Sequence, residues 1–507
     1  MSEFFRVLGE VLNLQNLLMI NIGVAVGTIV GAMPGLNKLI GITLLLPFTY
    51  KLDSLPAIML LLGCYCAGSY GGSITAILIN TPGTGAAMPT MIDGYPMAQQ
   101  GRAGDALKAA LVASTFGGIF SAACLAFLAP VISAFAKNFH SADYFSLCLF
   151  GLFLVVSISG DNVLKGLLMA GLGLLISTVG IDTMDGISRF MFGRVELLAG
   201  IPSICVMMGA FAVGNCYLKC FKRENSTMEM GVEYKKSTIS SFRLIKENFF
   251  LLLRSSAIGA FIGAVPGTGG AIASYIGYNV QVSSAKSDEE RKSYGKGNIK
   301  GVLAPESANN GVCGATLIPM LTLGIPGDNA VAVMGAALML HGITPGPALF
   351  TENRFWVYCL MVGLFIVNIF MLVQGAAFVR AFANVARVPM TIMIPCILII
   401  CTVGGFTSRQ YLFDLIIVFA FSVLGYVLRR CGYPLQPMTI GIVLGALCER
   451  NLRRALVISE GSISIFFTRP ISLILLIVSF LSLFWPTIKR QINKRKKNKQ
   501  NVAAQAG

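Results

Sequence analysis

The sequence predicts an all-α integral membrane protein with about 10–12 transmembrane helices in two repeat halves. Of its 507 residues, 55% are hydrophobic and only 12% are charged, and the mean hydropathy is +0.74. A soluble surface of this size needs more charge. The apolar runs are continuous rather than alternating, and this pattern favours helices over a transmembrane barrel.

Long apolar stretches recur along the chain, and each spanning helix needs about 20 such residues. They cover 15–33, 54–79, 106–136, 143–180, 197–219, 246–265, 355–379, 390–403, 411–428, 434–447 and 466–486. Several stretches are too short or too long for one crossing, and 434–447 fits least well. The sequence therefore predicts a range of span numbers rather than a single value.

Basic residues are concentrated in two places that predict the topology. The net charge is +16, and the tail after the last apolar stretch contributes Lys489, Arg490, Lys494, Arg495, Lys496, Lys497 and Lys499. The positive-inside rule favours a cytoplasmic C-terminus over contact with nucleic acid. We predict a first repeat half at 1–218, a polar cytoplasmic linker at 219–246, a second half at 247–488 and a basic cytoplasmic tail at 489–507.

One short phrase occurs twice, as Gly31-Ala32-Met33-Pro34-Gly35 and as Gly263-Ala264-Val265-Pro266-Gly267. Each phrase closes an apolar run, where proline and glycine break a helix and leave backbone groups unpaired within it. A second Pro-Gly break follows in each half, at Pro82-Gly83 and Pro326-Gly327. Transporters bind substrate between such broken helices at the interface of internal repeats. We therefore predict broken or re-entrant helices around one site, and we favour an inverted repeat over a parallel one.

Polar residues beside the four breaks predict an anion site. Backbone amides at the start of a half-helix carry partial positive charge, and glycine lets a carboxylate approach closely. Hydroxyl and carboxamide groups can complete the hydrogen bonding. The predicted substrate-binding residues are Pro34, Gly35, Asn37, Lys38, Asn80, Thr81, Pro82, Gly83, Thr84, Pro266, Gly267, Thr268, Gly269, Pro326, Gly327 and Asn329.

A second set of polar residues is predicted to hold a coupling cation, Na⁺ or H⁺, because carbonyls, carboxylates and hydroxyls bind such ions in transporters. The candidates are Ser73, Thr75, Glu306, Asn309, Asn310 and Asp328. The 13 cysteines form no Cys-x-x-Cys pair and there are only 2 histidines, so the sequence indicates no firm metal site and no cofactor besides the coupling ion. It also lacks a catalytic cluster, and we predict that the chain is not an enzyme.

Several of these candidates have a simpler interpretation. A Pro-Gly pair is also a common turn, which can join two spans at the membrane surface. Lys38 can extend to the interface instead of neutralising a carboxylate. Glu306 can cap the next helix or lie in a solvated loop. Because the whole arrangement is duplicated and has polar neighbours, a site is favoured.

The chain resembles the TctA family, the large membrane subunit of tripartite tricarboxylate transporters. The resemblance spans roughly residues 10–488, and it is specific because many short phrases occur in the same order. In the first half the phrases are 31–35, 70–74, 80–84, 93–98 and 101–104. In the second half they are 305–310, 317–319, 322–327, 341–346 and 449–456.

This resemblance implies a permease of the bacterial inner membrane that imports citrate-like tri- and dicarboxylates by symport with an ion gradient. It also implies two partners, a periplasmic solute-binding protein and a small membrane subunit of about four helices. Two residues depart from the family pattern: Asp328 stands where a small neutral residue is expected, and Ser307 replaces alanine. A permease that works without a binding protein and an anion channel stay open as alternatives.

Overall fold

Helices make up 81% of the computed structural model, which confirms the predicted all-α class. The structure describes residues 2–33, 36–158, 162–182, 184–222, 237, 239–385 and 390–483. Pro34 and Gly35, most of the predicted linker and the whole basic tail lie outside these residues. A two-stranded antiparallel hairpin pairs β1, Gly180–Ile181, with β2, Ser188–Arg189.

Helices occupy most of the described chain. From the N-terminus they are α1 Ser2–Val11, α2 Leu14–Ala32, α3 Lys38–Thr49, α4 Ser54–Ile79, α5 Met88–Met97, α6 Ala103–Ala136, α7 Ser141–Ile158, α8 Val163–Ser177, α9 Ser203–Met207, α10 Gly214–Lys222, α11 Ser241–Ala264 and α12 Gly269–Ser283. They continue with α13 Asp288–Ser293, α14 Lys300–Ala315, α15 Leu317–Leu323, α16 Asn329–Leu340, α17 Leu349–Glu352, α18 Arg354–Val385, α19 Met390–Arg409, α20 Leu412–Arg430, α21 Gln436–Ile458, α22 Ile465–Thr468 and α23 Pro470–Leu483. Short 3₁₀ turns occupy Gly85–Ala87 and Val195–Leu197, and π-helical segments occupy Ala98–Arg102 and Met208–Val213.

Six helical segments of the described chain are long and apolar enough to cross a membrane. They are Leu14–Ala32, Ser54–Ile79, Gly85–Ala136, Ser203–Cys220, Arg354–Phe378 and Leu412–Arg430. Shorter apolar helices cover Lys38–Thr49, Ser141–Ser157, Val163–Ser177, Asn329–Leu340, Thr391–Thr407 and Pro470–Leu483. The chain is thus a multi-pass helical membrane protein, while 10–12 spans stays a prediction.

Packing divides the chain into two compact units. The first combines Met1–Lys137 with Pro202–Tyr426, and the second combines the described parts of Asn138–Ile201 and Val427–Gly507. In the second unit, Arg189 of the hairpin donates two hydrogen bonds to Glu449 of α21, at 2.6 and 3.0 Å. These units reflect contacts rather than repeated sequence, so the two repeat halves stay a prediction.

Glycines bring two helix pairs of the first unit into backbone contact. In α2, glycines at a spacing of four residues, including Gly27 and Gly31, face the backbone of α4. In α11, Gly259 and Gly263 face the backbone of α14 in the same way. Small residues at this spacing are typical of close helix packing in membranes. Each of these helix pairs includes a helix that ends at a copy of the duplicated phrase.

The contact between α2 and α4 gives a direct test of this packing. A Cβ atom on Gly27 would lie 2.5 Å from the carbonyl oxygen of Cys64. Gly27→Ala should therefore separate the helices and destabilise the protein by about 1–3 kcal/mol, as overpacked cores do. Gly171→Ala in α8 is the matched control, because nothing lies within 4 Å of the added atom. Thermal unfolding in detergent measures both, and equal midpoints would contradict the close packing.

Candidate functional site

The four helical segments that follow the Pro-Gly breaks begin around one cavity. They are α3, the turn Gly85–Ala87, α12 and α16. The cavity has a volume of about 200 Å³. Its lining consists of Asn37, Lys38, Leu39, Ser69, Thr84, Gly85, Ala86, Gly270, Ala271, Asn309, Asp328, Asn329 and Ala330. All four breaks therefore contribute neighbouring residues to one site.

The start of a helix is favourable for an anion. The first amides of a helix have no partner inside it, and the helix dipole adds positive potential there. In this cavity the starts of α3, α12 and α16 approach one another. Thr84 adds a hydroxyl oxygen that is buried and has no hydrogen-bond partner among the described residues. The arrangement offers hydrogen-bond donors to a negatively charged ligand.

Two helices that start at the cavity are capped in the same way. The Asn37 Oδ1 atom accepts a hydrogen bond from the amide of Ile40 at 3.1 Å. The Asp328 Oδ1 atom accepts one from the amide of Val331 at 2.8 Å. Both are N-cap interactions, for which Asn and Asp are about equally suited. Each side chain thus fixes the start of its helix at the cavity wall.

An ion pair connects two of these helix starts across the cavity. The Lys38 Nζ atom lies 3.0 Å from Asp328 Oδ2 and 4.2 Å from the centre of the Tyr65 ring. The Tyr65 hydroxyl donates to Asp328 Oδ2 at 3.2 Å and lies 2.7 Å from the Thr316 hydroxyl. Asp328 therefore holds Lys38 inside the site, and the lysine does not extend along α3 towards an interface.

Backbone hydrogen bonds satisfy part of three of the four breaks. The Gly267 amide donates to the Gly327 carbonyl at 2.7 Å and thereby joins the two breaks of the second half. The Gly83 amide donates to the Gly72 carbonyl at 3.1 Å. Gly267 has a φ of 82°, which glycine adopts without strain. These breaks are consequently turns fixed by hydrogen bonds rather than frayed helix ends.

Glu306 lies in the middle of α14 and is fully buried. Three hydroxyl groups donate to its carboxylate: Ser73 and Thr90, the latter at 2.5 Å, to Oε1, and Ser114 at 2.8 Å to Oε2. No ion pair of the described residues includes Glu306. The alternatives of a helix cap or a solvated loop for Glu306 are wrong, because the Glu306 side chain is enclosed by α4, α5 and α6.

Two helices connect this carboxylate with the cavity. In α14, Asn309 lines the cavity one turn after Glu306, and its Nδ2 atom donates to the Ser69 carbonyl at 3.1 Å. In α4, Ser69 lines the cavity and Ser73, four residues on, donates to Glu306. Residues three or four apart share one helix face. A movement of either helix would therefore shift both the cavity lining and the surroundings of the Glu306 carboxylate.

Comparison with known proteins identifies the family. A family model described as "Tripartite tricarboxylate transporter TctA family" matches residues 17–440. This chain belongs to the TctA family. It is 35% identical over 461 residues to an "Uncharacterized 52.8 kDa protein in TAR-I ttuC' 3'region" of Agrobacterium vitis, and the match covers 90% of each chain.

A second TctA relative is shorter. An "Uncharacterized protein in TAR-II ttuC' 3'region" of Agrobacterium vitis is 35% identical over 218 residues, which make up 43% of this chain and 89% of the relative. No solved structure matches the chain. Membership in the TctA family makes the chain a component of a tripartite tricarboxylate transporter and places it in a family of transport proteins.

The structure brings together only part of the predicted binding set of this TctA-family chain. Of the predicted residues, the cavity is lined by Asn37, Lys38, Thr84, Asn309, Asp328 and Asn329. The other described substrate candidates are not part of the lining; they are Asn80, Thr81, Pro82, Gly83, Pro266, Gly267, Thr268, Gly269, Pro326 and Gly327. Pro34 and Gly35 lie outside the described residues.

Three polar residues of the breaks form local hydrogen bonds. Asn80 has a φ of 54° and ends α4, with its amide donating to the Thr75 carbonyl. The Thr81 hydroxyl donates to the Ile79 carbonyl at 3.3 Å, and the Thr268 hydroxyl donates to the Val265 carbonyl at 2.9 Å. These groups stabilise the ends of their helices.

The predicted coupling residues have different contacts in the structure. Ser73 contacts Glu306, whereas the Thr75 hydroxyl donates to the Gly72 carbonyl in its own helix, at 3.3 Å. Asn310 is buried away from the cavity lining, and its carbonyl accepts from Ser121 at 3.3 Å. Asp328 belongs to the ion pair. The described residues contain no group of three or more His, Cys, Asp or Glu that could hold a metal ion.

Sequence reasoning missed several residues of the site. Ser69 and Gly270 line the cavity, Tyr65 contacts the ion pair, and Thr90 and Ser114 donate to Glu306. The signal for Ser69 was its spacing of four from Ser73 within an apolar helix. A Cβ atom on Gly270 would lie 2.5 Å from the Asn309 Oδ1 atom, so close packing accounts for this glycine.

Asp93 of the family-like phrase 93–98 positions α14. Its Oδ1 atom accepts hydrogen bonds from the amides of Gly295, Gly297 and Asn298, at 2.8, 3.0 and 2.9 Å. Its Oδ2 atom accepts one from the Tyr278 hydroxyl at 3.0 Å. Asp93 thus binds the loop just before α14, the helix that carries Glu306 and Asn309.

Ser307, one of the two departures from the family pattern, connects α14 with α11. Its hydroxyl donates to the Leu252 carbonyl at 3.0 Å and lies 2.8 Å from the hydroxyl of Ser256. These partners satisfy the polar group inside the protein. Ser307 therefore contributes to the packing of α14 against α11 and is not part of the cavity lining.

Proposed function

We propose that this chain is the permease subunit of an ion-coupled importer for citrate-like tri- and dicarboxylates in the bacterial inner membrane. It works with a periplasmic solute-binding protein and a small membrane subunit of about four helices, and its C-terminus lies in the cytoplasm. Family membership supports the transport role. The observation that carries the binding role is the convergence of four post-break helical segments on one cavity.

The cavity suits a carboxylate because its donors are fixed before the ligand arrives. Each helix start contributes about 0.3–1 kcal/mol for an anion at an exposed surface, and up to about 2 kcal/mol in partly buried geometry. The cavity lining also contains side-chain donors, which belong to Thr84, Asn309 and Asn329. The first amides of α3, α12 and α16 supply the backbone donors, and the break residues fix where these helices begin.

Import of a charged substrate needs an ion gradient. Moving a trianion inward against a potential of about 100 mV costs about 7 kcal/mol, at about 2.3 kcal/mol for each charge. Glu306 is the best-placed coupling group, because it is buried with no cationic partner among the described residues and is connected with the cavity through α4 and α14. It takes up H⁺ directly, or it holds Na⁺ together with the hydroxyls of Ser73, Thr90 and Ser114. Movement of the broken-helix tips then alternates access to the site.

Uptake into proteoliposomes tests the binding role. The permease is reconstituted with its small subunit and the binding protein, and labelled citrate is supplied. Accumulation should require an ion gradient and should stop when ionophores dissipate it. Thr84→Val keeps the side-chain shape but removes a hydroxyl donor to the carboxylate, so the KM for uptake should rise about tenfold.

Asn80→Gly is the matched variant for this assay. Asn80 is left-handed at the end of α4 and does not line the cavity, and glycine adopts that conformation readily. Its KM should stay within about twofold of the unaltered protein. A larger effect at Asn80 than at Thr84 would place the substrate elsewhere. Uptake that persists without the gradient would favour a channel, and full uptake without the binding protein would favour an independent permease.

Glu306→Gln tests the coupling role. The amide keeps the size of the side chain but can neither release a proton nor neutralise a cation. We expect gradient-driven accumulation to be lost while exchange of labelled for unlabelled citrate continues, because exchange needs no net ion movement.

Glu289→Gln on the exposed helix α13 is the control for Glu306→Gln, since it removes a carboxylate far from any buried contact. It should accumulate citrate normally. Normal accumulation by Glu306→Gln at every imposed gradient would exclude Glu306 as the coupling group.

A further inference from the structure

The charges of the cavity balance each other. Lys38 and Asp328 are the only charged residues among the described residues that line it, and their side chains form an ion pair at 3.0 Å. Both side chains are largely buried, with 17% and 11% of their surface exposed. The cavity therefore has no net side-chain charge. Its attraction for an anion comes from helix starts and neutral donors.

The helix cap does not explain why residue 328 is charged. Asn37 caps α3 with the same geometry that Asp328 uses for α16, and Asn37 is neutral. The cap uses only Oδ1 of Asp328, while Oδ2 interacts with Lys38 and Tyr65. A neutral asparagine would perform the cap about as well. The negative charge must therefore have its effect inside the cavity.

The charge of Asp328 acts against an anionic ligand in two ways. It occupies Lys38, so a ligand carboxylate has to compete for the ammonium group. Compared with a neutral residue at this position, it also makes the potential less favourable for each carboxylate that enters a cavity of about 200 Å³, in which every ligand atom lies near the wall. Such repulsion is weakly screened at partly buried positions. The penalty grows with each carboxylate that the ligand carries.

The geometry points to Asp328 as a residue that selects ligands by charge and makes this site favour dicarboxylates over tricarboxylates. This inference rests on the proposed carboxylate site and names its substrate class. Helix starts and the neutral donors Thr84, Asn309 and Asn329 attract carboxylates, while Asp328 makes each additional carboxylate less favourable. Removing the charge should strengthen the binding of tricarboxylates relative to dicarboxylates.

Glutarate and tricarballylate are matched probes for this inference. They share a five-carbon chain, and tricarballylate adds one carboxylate to it. Isothermal titration calorimetry on the purified permease in detergent, at about pH 8 where all these carboxyl groups are ionised, gives a Kd for each probe. The unaltered protein should bind glutarate more tightly than tricarballylate. In Asp328→Asn, the affinity for tricarballylate relative to glutarate should rise about tenfold, which corresponds to about 1.4 kcal/mol.

Asn37→Asp is the opposite variant. It adds a negative charge at the equivalent cap of α3 and keeps the cap itself. Its relative affinity for tricarballylate should fall several-fold. Asn37→Asp leaves the partner of Lys38 in place. This variant therefore still tests charge selection if Asp328→Asn does not fold.

The outcomes separate this inference from the proposed function. Binding of both probes with an unchanged affinity ratio in the variants overturns charge selection but leaves the carboxylate site intact. Failure of the unaltered permease to bind either probe overturns the site and the inference together. Tighter binding of tricarballylate than of glutarate by the unaltered protein also contradicts the role assigned to Asp328.

Discussion

A backbone amide that loses its helical partner inside an apolar protein must find another partner, and this constraint governs the whole first unit. At the breaks, some amides bond to neighbouring breaks, as the Gly267 amide does to the Gly327 carbonyl. Others are the first amides of α3, α12 and α16, which open on the cavity. Their unmet hydrogen-bonding capacity is costly without a ligand or water and useful with an anion. Helices that begin inside the protein therefore leave amides that can bind an anion.

The surrounding helices fix the positions of these helix ends. Glycines let α2 approach α4 and let α11 approach α14 to backbone contact, so the broken partners cannot shift freely. Asp93 fixes the loop before α14 through three backbone amides. As a result, α4 presents Ser69 to the cavity and Ser73 to Glu306, while α14 carries both Asn309 and Glu306. In the proposed mechanism, ion binding at Glu306 acts on the cavity through these two helices.

The sequence predicted the helical membrane class and the positions of the breaks, because proline, glycine and hydropathy act locally along the chain. It also identified six residues that line the cavity, five of them polar residues that closely follow a break. It did not distinguish Asn80, which ends a helix, from Thr84, which faces the cavity, because that difference depends on the turn between them. The burial of Glu306 and its contact with Ser114 arise from helix packing across distant parts of the chain, which no local pattern encodes.

The central claim is that the four breaks form one carboxylate site, and a cryo-electron microscopy map of the permease with bound glutarate tests it most directly. We predict ligand density between the starts of α3, α12 and α16, with one carboxylate oxygen about 3 Å from the Thr84 hydroxyl. Ligand density at another place, with the space between these helix starts empty or closed by side chains, would contradict the account.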